Sequence, residues 1–346
     1  MKSTLRPTSV DDLSALRQFL ARAFGVGPGA PFVNPAAMAW KYWDRRDDWT
    51  GPRGYVLERD GAIVAHAGIW PMTFGAGADA VRGVQMIDWA SAKEAPGAGL
   101  ALVQKLTAMF DFIYSIGGSE MTCKVLPAFG FVECAREWKA VRPLRPVRQM
   151  LTHQTRTWKL APRLVRNWLW TMPKGLSPHS NWKAVEIPPQ EISEEFSLSN
   201  VAGARFSPRP SAFFEYLLQC PAARFSLYGI MDDHKSRGHF AMSVSRGQAR
   251  VAGVWLREPT QEAWAAAYVL AQQTALRLKG AYEIVTAGSE GPSRQGAAQA
   301  GFRIMPGPLV YLLDKKRKLS LSSEFQFQLS DDDAAFHDTG MASYWS

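Results

Sequence analysis

The chain has 346 residues, 47% of them hydrophobic, and a formal net charge of +9 at neutral pH. This apolar content argues against intrinsic disorder, and the length fits two domains of about 150 residues with a connector. No stretch approaches the ~20 apolar residues of a membrane span, and no apolar run near the N-terminus indicates a secretory signal, so we expect a cytoplasmic protein. Three cysteines without a CxxC pair suit reduced thiols, and the scattered histidines predict no metal site.

The first part of the chain predicts an alternation of strands and helices. Residues 5–24 predict a strand and an amphipathic helix that begins near Ser9 or Asp11. Residues 54–58 and 62–70 predict a hairpin around Asp60-Gly61, a favoured turn dipeptide. Residues 81–90 are β-branched and apolar and predict a further strand.

A glycine turn at residues 94–99 (EAPGAG) separates this strand from a helix whose apolar residues recur at helical spacing from Leu100 to Phe110. Glycines allow a ligand to approach the backbone closely, and the start of a helix offers unpaired N–H groups and the positive end of its dipole. This combination suits a pyrophosphate. Neither the Gly-Lys-Ser/Thr of a Walker loop nor the third glycine of a dinucleotide fingerprint is present.

The turn resembles the acetyl-coenzyme A loop of the GNAT acyltransferase superfamily, Gln/Arg-x-x-Gly-x-Gly/Ala after the fourth strand. Gly97 and Gly99 match, whereas Glu94 stands where the pattern has Gln or Arg, and its carboxylate would repel a pyrophosphate. Residues 126–131 (LPAFGF) are similar to the Gly-Phe signature that closes the fourth helix. The shared order of elements covers roughly residues 3–143. The resemblance implies an N-acyltransferase that uses acetyl-CoA or another acyl-CoA as cosubstrate.

The resemblance also implies the residues of the site. Cofactor contacts are expected from the strand end and the turn: Trp89, Ala90, Ser91, Glu94, Ala95, Pro96, Gly97, Ala98, Gly99 and Leu100. Asp88 is the candidate base, with a pKa raised by burial, and its alternative is a strand-end carboxylate bonded to backbone. The family's proton-donating tyrosine is replaced by Leu126, so Tyr114 on the next strand is the substitute candidate, with core packing as its alternative.

A second copy of this order follows. Pro35 and Gly130 are 95 positions apart, and the matching Pro210 and Gly301 are 91 apart. The second turn, residues 257–262 (REPTQE), contains no glycine, so we expect this copy to be degenerate. The predicted fold is α/β (α+β with a mixed sheet), with two tandem GNAT-like units that each have their own sheet. The expected bounds are 1–143 for the first unit, 144–195 for a connector, 196–316 for the second unit and 317–346 for a tail.

Charge is concentrated in and beside the connector. Residues 136–183 contain eleven basic residues and one acid, about +10, which leaves about −1 for the rest. Five tryptophans are interleaved with them: Trp138, Trp158, Trp168, Trp170 and Trp182. This pattern favours either a structural bridge with tryptophans packed between domains or peripheral docking on an anionic membrane at its inner face, with nucleic acid least favoured. In the tail, Asp331 to Asp333 predict a solvated end, and the alternation at 324–329 predicts an edge strand.

The acceptor class stays open. Tandem chains with one intact and one eroded copy resemble proteins encoded with bacterial surface-polysaccharide machinery, which implies an amino sugar or nucleotide-linked sugar as the amine acceptor. Two alternatives are a FemX-like peptidyltransferase that uses aminoacyl-tRNA and a non-catalytic pseudo-acyltransferase scaffold.

Overall fold

The computed structural model describes residues 3–74, 80–152, 160–171, 181–192, 204–207, 209–319, 324–338, 340 and 344–346. The strands are β1 Ser3–Pro7, β2 Gly54–Arg59, β3 Ala62–Phe74, β4 Val81–Ser91, β5 Phe112–Ile116, β6 Val132–Pro143, β7 Trp182–Glu186, β8 Ala204–Phe206, β9 Arg224–Asp232, β10 Lys235–Ser245, β11 Gln248–Leu256, β12 Glu283–Gly288, β13 Arg303–Leu313 and β14 Glu324–Gln326. The α-helices are α1 Leu13–Phe24, α2 Pro35–Tyr42, α3 Ala98–Leu106, α4 Glu120–Val125, α5 Pro146–Thr152, α6 Leu160–Thr171, α7 Ser211–Leu218, α8 Gln261–Arg277 and α9 Pro292–Gln299. None of these helices is long and apolar enough to cross a membrane.

Local sequence signals account for the elements around the predicted turn. Asp60 and Gly61 both have positive φ angles, 50° and 77°, as the tight turn between β2 and β3 requires. Gly97 has φ 82° and is the N-cap residue of α3. The predicted hairpin, the strand at 81–90 and the helix after the glycine turn are confirmed.

One mixed sheet of twelve strands runs through both halves, in the order β1-β2-β3-β4-β5-β13-β6-β12-β11-β10-β9-β7. The two halves exchange their last strands. β13 of the second half pairs with β5 of the first, where Leu313 lies opposite Ile113, and β6 of the first half pairs with β12 of the second. The expectation of a separate sheet for each half is wrong, because the exchanged strands β13 and β6 join the strands of both halves into one sheet.

The second half nevertheless repeats the first, element by element. The succession α7, β9, β10, β11, α8, β12, α9 and β13 matches α2, β2, β3, β4, α3, β5, α4 and β6. His66 in β3 lies opposite Ala90 of β4, and His239 in β10 lies opposite Trp255 of β11. Both histidines are almost completely buried. The predicted α/β fold of two tandem units is thus confirmed.

The tail is part of the core rather than a solvated end. Asp331 is 3% exposed and its carboxylate forms an ion pair with buried Arg209, so the prediction of a solvated Asp331 to Asp333 run is wrong. Trp70 of the first half donates to the Ser330 carbonyl at 3.0 Å. Ser243 of the second half donates to the Ala335 carbonyl at 2.6 Å. The tail therefore joins the two halves. The predicted strand at 324–329 forms over the shorter span of β14, which pairs with β8 in a separate two-stranded sheet.

Candidate functional site

The site is built where β4 and β5 diverge. The two strands pair in parallel only from Gly83 to Gln85 on β4. Beyond that point β4 contains a bulge, because Asp88 and Trp89 together lie opposite the single residue Ala67 of β3. Asp88 takes the left-handed conformation there, with φ 47°. The bulge and the divergence leave a slot along the second half of β4.

A groove of about 250 Å³ occupies the open end of this slot. Nine residues from the end of β4, the glycine turn and α4 line it: Trp89, Ala90, Ser91, Gly97, Gly99, Leu100, Met121, Thr122 and Val125. The Trp89 indole donates from Nε1 to the Gly99 carbonyl at 3.2 Å, which ties the strand end to the first turn of α3. The groove therefore lies against the start of a helix.

Two glycines shape the helix start beside the groove. A Cβ atom on Gly99 would lie 3.2 Å from the Trp89 indole nitrogen and 3.3 Å from Ser91 Cβ, so a larger residue there would require these side chains to move by a few tenths of an ångström. Next to Gly97 there is open space, with no atom within 4 Å of a Cβ built there. An open helix start with free N–H groups is a suitable place for a pyrophosphate.

Six of the ten predicted cofactor residues line the groove, and four do not. Ala95 and Ala98 are 3% and 1% exposed and pack into the core of the first half. Glu94 and Pro96 are exposed and do not line the groove. The Glu94 carboxylate is therefore not among the groups that line the expected pyrophosphate site. The contribution of α4 to the lining was not predicted, because its only signal in the sequence is its position before the Gly-Phe pair.

Asp88 does not have the electrostatics that the sequence analysis expected. Its carboxylate accepts hydrogen bonds from the Lys41 ammonium at 2.5 Å and from the Tyr42 hydroxyl at 2.6 Å. Burial alone would raise the pKa of Asp88, but the Lys41 charge and these two hydrogen bonds hold the pKa below its ordinary value. The expectation of a raised pKa is wrong. A carboxylate held in its charged form by a buried ammonium is a weak proton acceptor. The two hydrogen bonds connect the bulge to α2, and the role of Asp88 as the base stays an untested prediction.

Tyr114 faces the tail instead of the groove. It is completely buried, and its hydroxyl donates to the Asp331 carbonyl at 2.6 Å. Burial, followed by the nearby Asp331 carboxylate, raises the pKa of Tyr114 well above its ordinary value. Tyr114 does not line the groove, so its contact supports the alternative of core packing. Its role as a proton donor remains an untested prediction.

A second cavity, of about 490 Å³, adjoins the groove. The two share Trp89 and Thr122 as lining residues. The cavity's polar lining is mostly composed of hydrogen-bond acceptors and hydroxyl groups: Gln85, Asp88, Ser115, Ser119, Thr122, Asp332, Asp333 and His337. Its apolar lining includes Phe24, Val26, Phe32 and Ile116. The tail residues of this lining were not predicted, because a run of three aspartates is typical of a solvated surface.

Comparison with known proteins settles the fold. No family model and no curated protein matches the sequence. Among solved structures, a tandem GNAT protein from the clavulanic acid biosynthesis pathway is 13% identical, with a TM-score of 0.56 over 90% of this chain and 98% of that chain. The chain has a tandem GNAT fold.

Two further structures agree. A GCN5-related N-acetyltransferase from Anabaena variabilis is 12% identical, with a TM-score of 0.58 over 90% of this chain and 73% of that one. The N-myristoyltransferase of Saccharomyces cerevisiae, solved with myristoyl-CoA, is 11% identical, with a TM-score of 0.58 over 90% of this chain and 80% of that one. At these identities the likeness concerns the fold alone.

The two GNAT-like halves differ at the slot. In the second half β11 and β12 diverge after Arg250, and the tail enters the gap. The Gln328 side chain accepts a hydrogen bond from the Val254 backbone N–H at 2.6 Å. The register of β10 and β11 makes Val254 the counterpart of Trp89. The Ser289 N–H donates to the Phe327 carbonyl at 3.1 Å. The second slot is therefore filled by the chain itself, which explains why a glycine-free turn is tolerated there.

Proposed function

We propose that this chain is an acyl-CoA-dependent N-acyltransferase with one acyl-CoA site, the groove of the first half. The observation that carries the proposal is the open slot on β4, which ends at a glycine helix start and continues into a cavity lined by carboxylates. Coenzyme A supplies an activated acyl group as a thioester. The N–H groups at the start of α3 would hold its pyrophosphate, and the backbone of residues 89–91 would orient and polarise the thioester carbonyl.

We infer that the acceptor is a small amine bound in the second cavity, and an amino sugar is the first compound to test. Lys and Arg are absent from the described residues that line this cavity. A nucleotide-linked sugar or an aminoacyl-tRNA would bring phosphates into a site whose charged groups are acidic. The acidic lining therefore favours an amine without phosphate over a nucleotide-linked sugar and over an aminoacyl-tRNA. An open groove also favours an enzyme over a scaffold, because a scaffold has no need to leave the first slot empty of its own chain.

The test is thermal unfolding with coenzyme A and acetyl-CoA. Ligand at a hundred times its dissociation constant is expected to add about 2.7 kcal/mol of apparent stability. Transfer is then followed with acetyl-CoA and glucosamine by release of the free thiol. A native protein that shows no shift with either ligand would favour the scaffold alternative.

We also propose that α5 and α6 dock on an anionic membrane surface. Helix α6 leaves Val165, Trp168 and Leu169 59%, 55% and 55% exposed, and Arg166 beside them is exposed as well. Acidic residues are absent from positions 138–185 of the sequence. Exposed apolar side chains next to arginine are typical of helices that lie in a lipid interface.

Part of the basic segment has a structural role instead. Arg142 donates to the Ala300 carbonyl at 3.0 Å, and Arg145 donates to the Leu278 carbonyl at 3.1 Å. Trp138 is buried and donates to the Ser289 carbonyl at 2.6 Å. Four of the predicted connector residues, Arg156, Trp158, Lys159 and Lys174, lie outside the described residues. The membrane proposal therefore rests on α5 and α6 alone.

Vesicle sedimentation tests it. The protein is expected to sediment with phosphatidylglycerol vesicles and to be released by salt, whereas phosphatidylcholine vesicles should leave it in solution. The double variant Trp168→Ser, Leu169→Ser should lose binding while its melting temperature stays close to wild type, because both side chains are exposed. If the wild-type protein binds immobilised tRNA at physiological salt and does not bind the vesicles, the proposal is contradicted.

A further inference from the structure

We propose that Asp332 and Asp333 form the acceptor-amine site, which binds a protonated primary amine carried on an uncharged body and removes its first proton. The inference rests on the acyltransferase function proposed above and adds the class of acceptor and the group that deprotonates it. Both residues belong to the tail of the second half, yet both line the cavity beside the first slot.

Hydrogen bonds and an ion pair hold Asp331 and Asp332 at the place where the pairing of β4 with β5 ends. Gln85 is the last β4 residue that pairs with β5, and its amide donates to Asp332 Oδ1 at 2.7 Å. One residue earlier, Asp331 is held through its carbonyl by Tyr114 and through its carboxylate by Arg209. The position of Asp332 is therefore set from both sides, at the place where β4 and β5 begin to separate.

An independent observation indicates a ligand with N–H donors. Gln85 is 2% exposed, and its Oε1 atom has no hydrogen-bond partner among the described residues, although it lines the cavity. Leaving a buried amide oxygen without a hydrogen-bond donor is unfavourable. Together with the carboxylates of Asp332 and Asp333, it forms a set of acceptors. An alkylammonium group has three N–H donors and a positive charge, which match this set.

The charged surroundings of the pair favour a cation. Burial raises the pKa of Asp332 well above its ordinary value, and the nearby carboxylates of Asp333 and of Glu137 on β6 raise it further, against the Gln85 hydrogen bond. His337 Nδ1 lies 3.9 Å from Asp333 Oδ2. The remaining carboxylate in the cavity, Asp88, is neutralised by Lys41. The two tail aspartates thus place acidic groups side by side in the cavity, where an ammonium would supply the opposite charge.

The chemistry balances with two protons leaving the acceptor nitrogen. The carboxylate pair takes the first proton from the ammonium and passes it to solvent, which leaves a neutral amine with a free electron pair. The nitrogen then forms a bond to the thioester carbon while the carbon–sulfur bond breaks, and the second nitrogen proton ends on the coenzyme A thiolate. The sum is acyl-CoA plus ammonium giving amide, coenzyme A and one released proton.

The walls indicate what the amine is attached to. Phe24 and Phe32 meet edge to face at a centroid distance of 5.4 Å, and both line the cavity with Val26 and Ile116. These walls suit an apolar chain or the face of a sugar ring, since aromatic side chains pack against either. A phosphate on the acceptor would face Asp332 and Asp333 without a counter-charge.

The test separates this site from the acyl-CoA groove. Glucosamine and propylamine are titrated into the acetyl-CoA-loaded protein by calorimetry in two buffers of different ionisation enthalpy, with glucose and propanol as uncharged counterparts. The amines are expected to bind with proton release, and the uncharged compounds are not. Asp332→Asn and, separately, Asp333→Asn should lose this binding and slow transfer about a hundred- to ten-thousand-fold, while acetyl-CoA affinity is unchanged. The exposed-site control Asp47→Asn should behave as wild type.

The outcomes are distinct. Wild-type protein that does not bind acetyl-CoA refutes the proposed function itself. Wild-type protein that binds acetyl-CoA but neither amine, or an Asp332→Asn variant with the wild-type rate and pH profile, overturns the assignment of the amine site. If Asp332→Asn fails to fold, Asp332→Glu decides the matter: it retains the carboxylate, so it should bind both amines, and a variant that folds yet binds neither with proton release also overturns the assignment.

Discussion

Replacing Gly97 tests where the pyrophosphate lies and isolates one electrostatic contribution. Its φ of 82° makes any other residue strained by about 1–2 kcal/mol, but open space around it means that a side chain meets no clash. Gly97→Ala and Gly97→Gln should therefore stay folded, because globular proteins are stable by about 5–15 kcal/mol. Gly97→Glu has the same backbone strain and the same size as Gly97→Gln, and adds only a charge.

The magnitude follows from Coulomb's law. Two charges about 4 Å apart interact by about 1 kcal/mol in water and about 4 kcal/mol at a partly buried site. Since about 1.4 kcal/mol is tenfold in affinity, Gly97→Glu should bind coenzyme A about five-fold to several hundred-fold more weakly than Gly97→Gln.

Isothermal calorimetry at low and high salt measures the difference, which should shrink as salt rises. Pro259→Glu, at the matching turn of the second half, should leave coenzyme A affinity unchanged. Equal affinities of the Gln and Glu variants at low salt would refute the placement of the pyrophosphate against this turn.

Three further predictions concern the tail and its neighbours. Gln328→Ala leaves the buried Val254 N–H without its acceptor and should lower the free energy of unfolding in urea by about 1–3 kcal/mol, with coenzyme A affinity unchanged. Tyr114→Phe removes the donor to the Asp331 carbonyl and should lower the free energy of unfolding by a similar amount, about 1–3 kcal/mol. If Tyr114 is not the proton donor, the decrease of the acyl-transfer rate at high pH should be the same in this variant as in the wild type. Burial raises the pKa of Glu137 from 4.5 to about 8, so the folded state binds the extra proton and its stability should fall as pH rises from 4.5 through 8. Glu137→Gln should flatten that slope in unfolding experiments at pH 5 and pH 8.5, and an unchanged slope would contradict it.

The sequence predicts the elements of the site well, because their signals are local. The strand at 81–90, the glycine turn and the helix behind it depend on neighbouring residues: β-branched side chains, Gly97 in a left-handed conformation and helical spacing. The repeat was likewise visible from landmarks at matching distances. These features need no knowledge of distant contacts.

What the sequence did not predict depends on partners far away along the chain. Nothing in the composition of β6 or β13 says which half supplies their neighbours, so the exchange of strands was not foreseen. The sign of the Asp88 pKa shift follows from Lys41, which lies 47 positions earlier. Asp331 is buried in an ion pair with Arg209, which lies 122 positions earlier. In each case a long-range contact overrides what the local pattern suggests.

The exchange of β6 and β13 has a consequence for how the chain is made. Leu313 pairs with Ile113, about 200 positions earlier. During synthesis, β5 and β6 therefore cannot pair with β13, the strand between them, until most of the chain has been made. Contacts between such distant residues slow folding, and strands with unpaired edges are prone to aggregate meanwhile. Neither half should be recoverable as a well-behaved fragment alone. Two fragments divided between α6 and β7 should instead refold together, each supplying the strand that the other lacks.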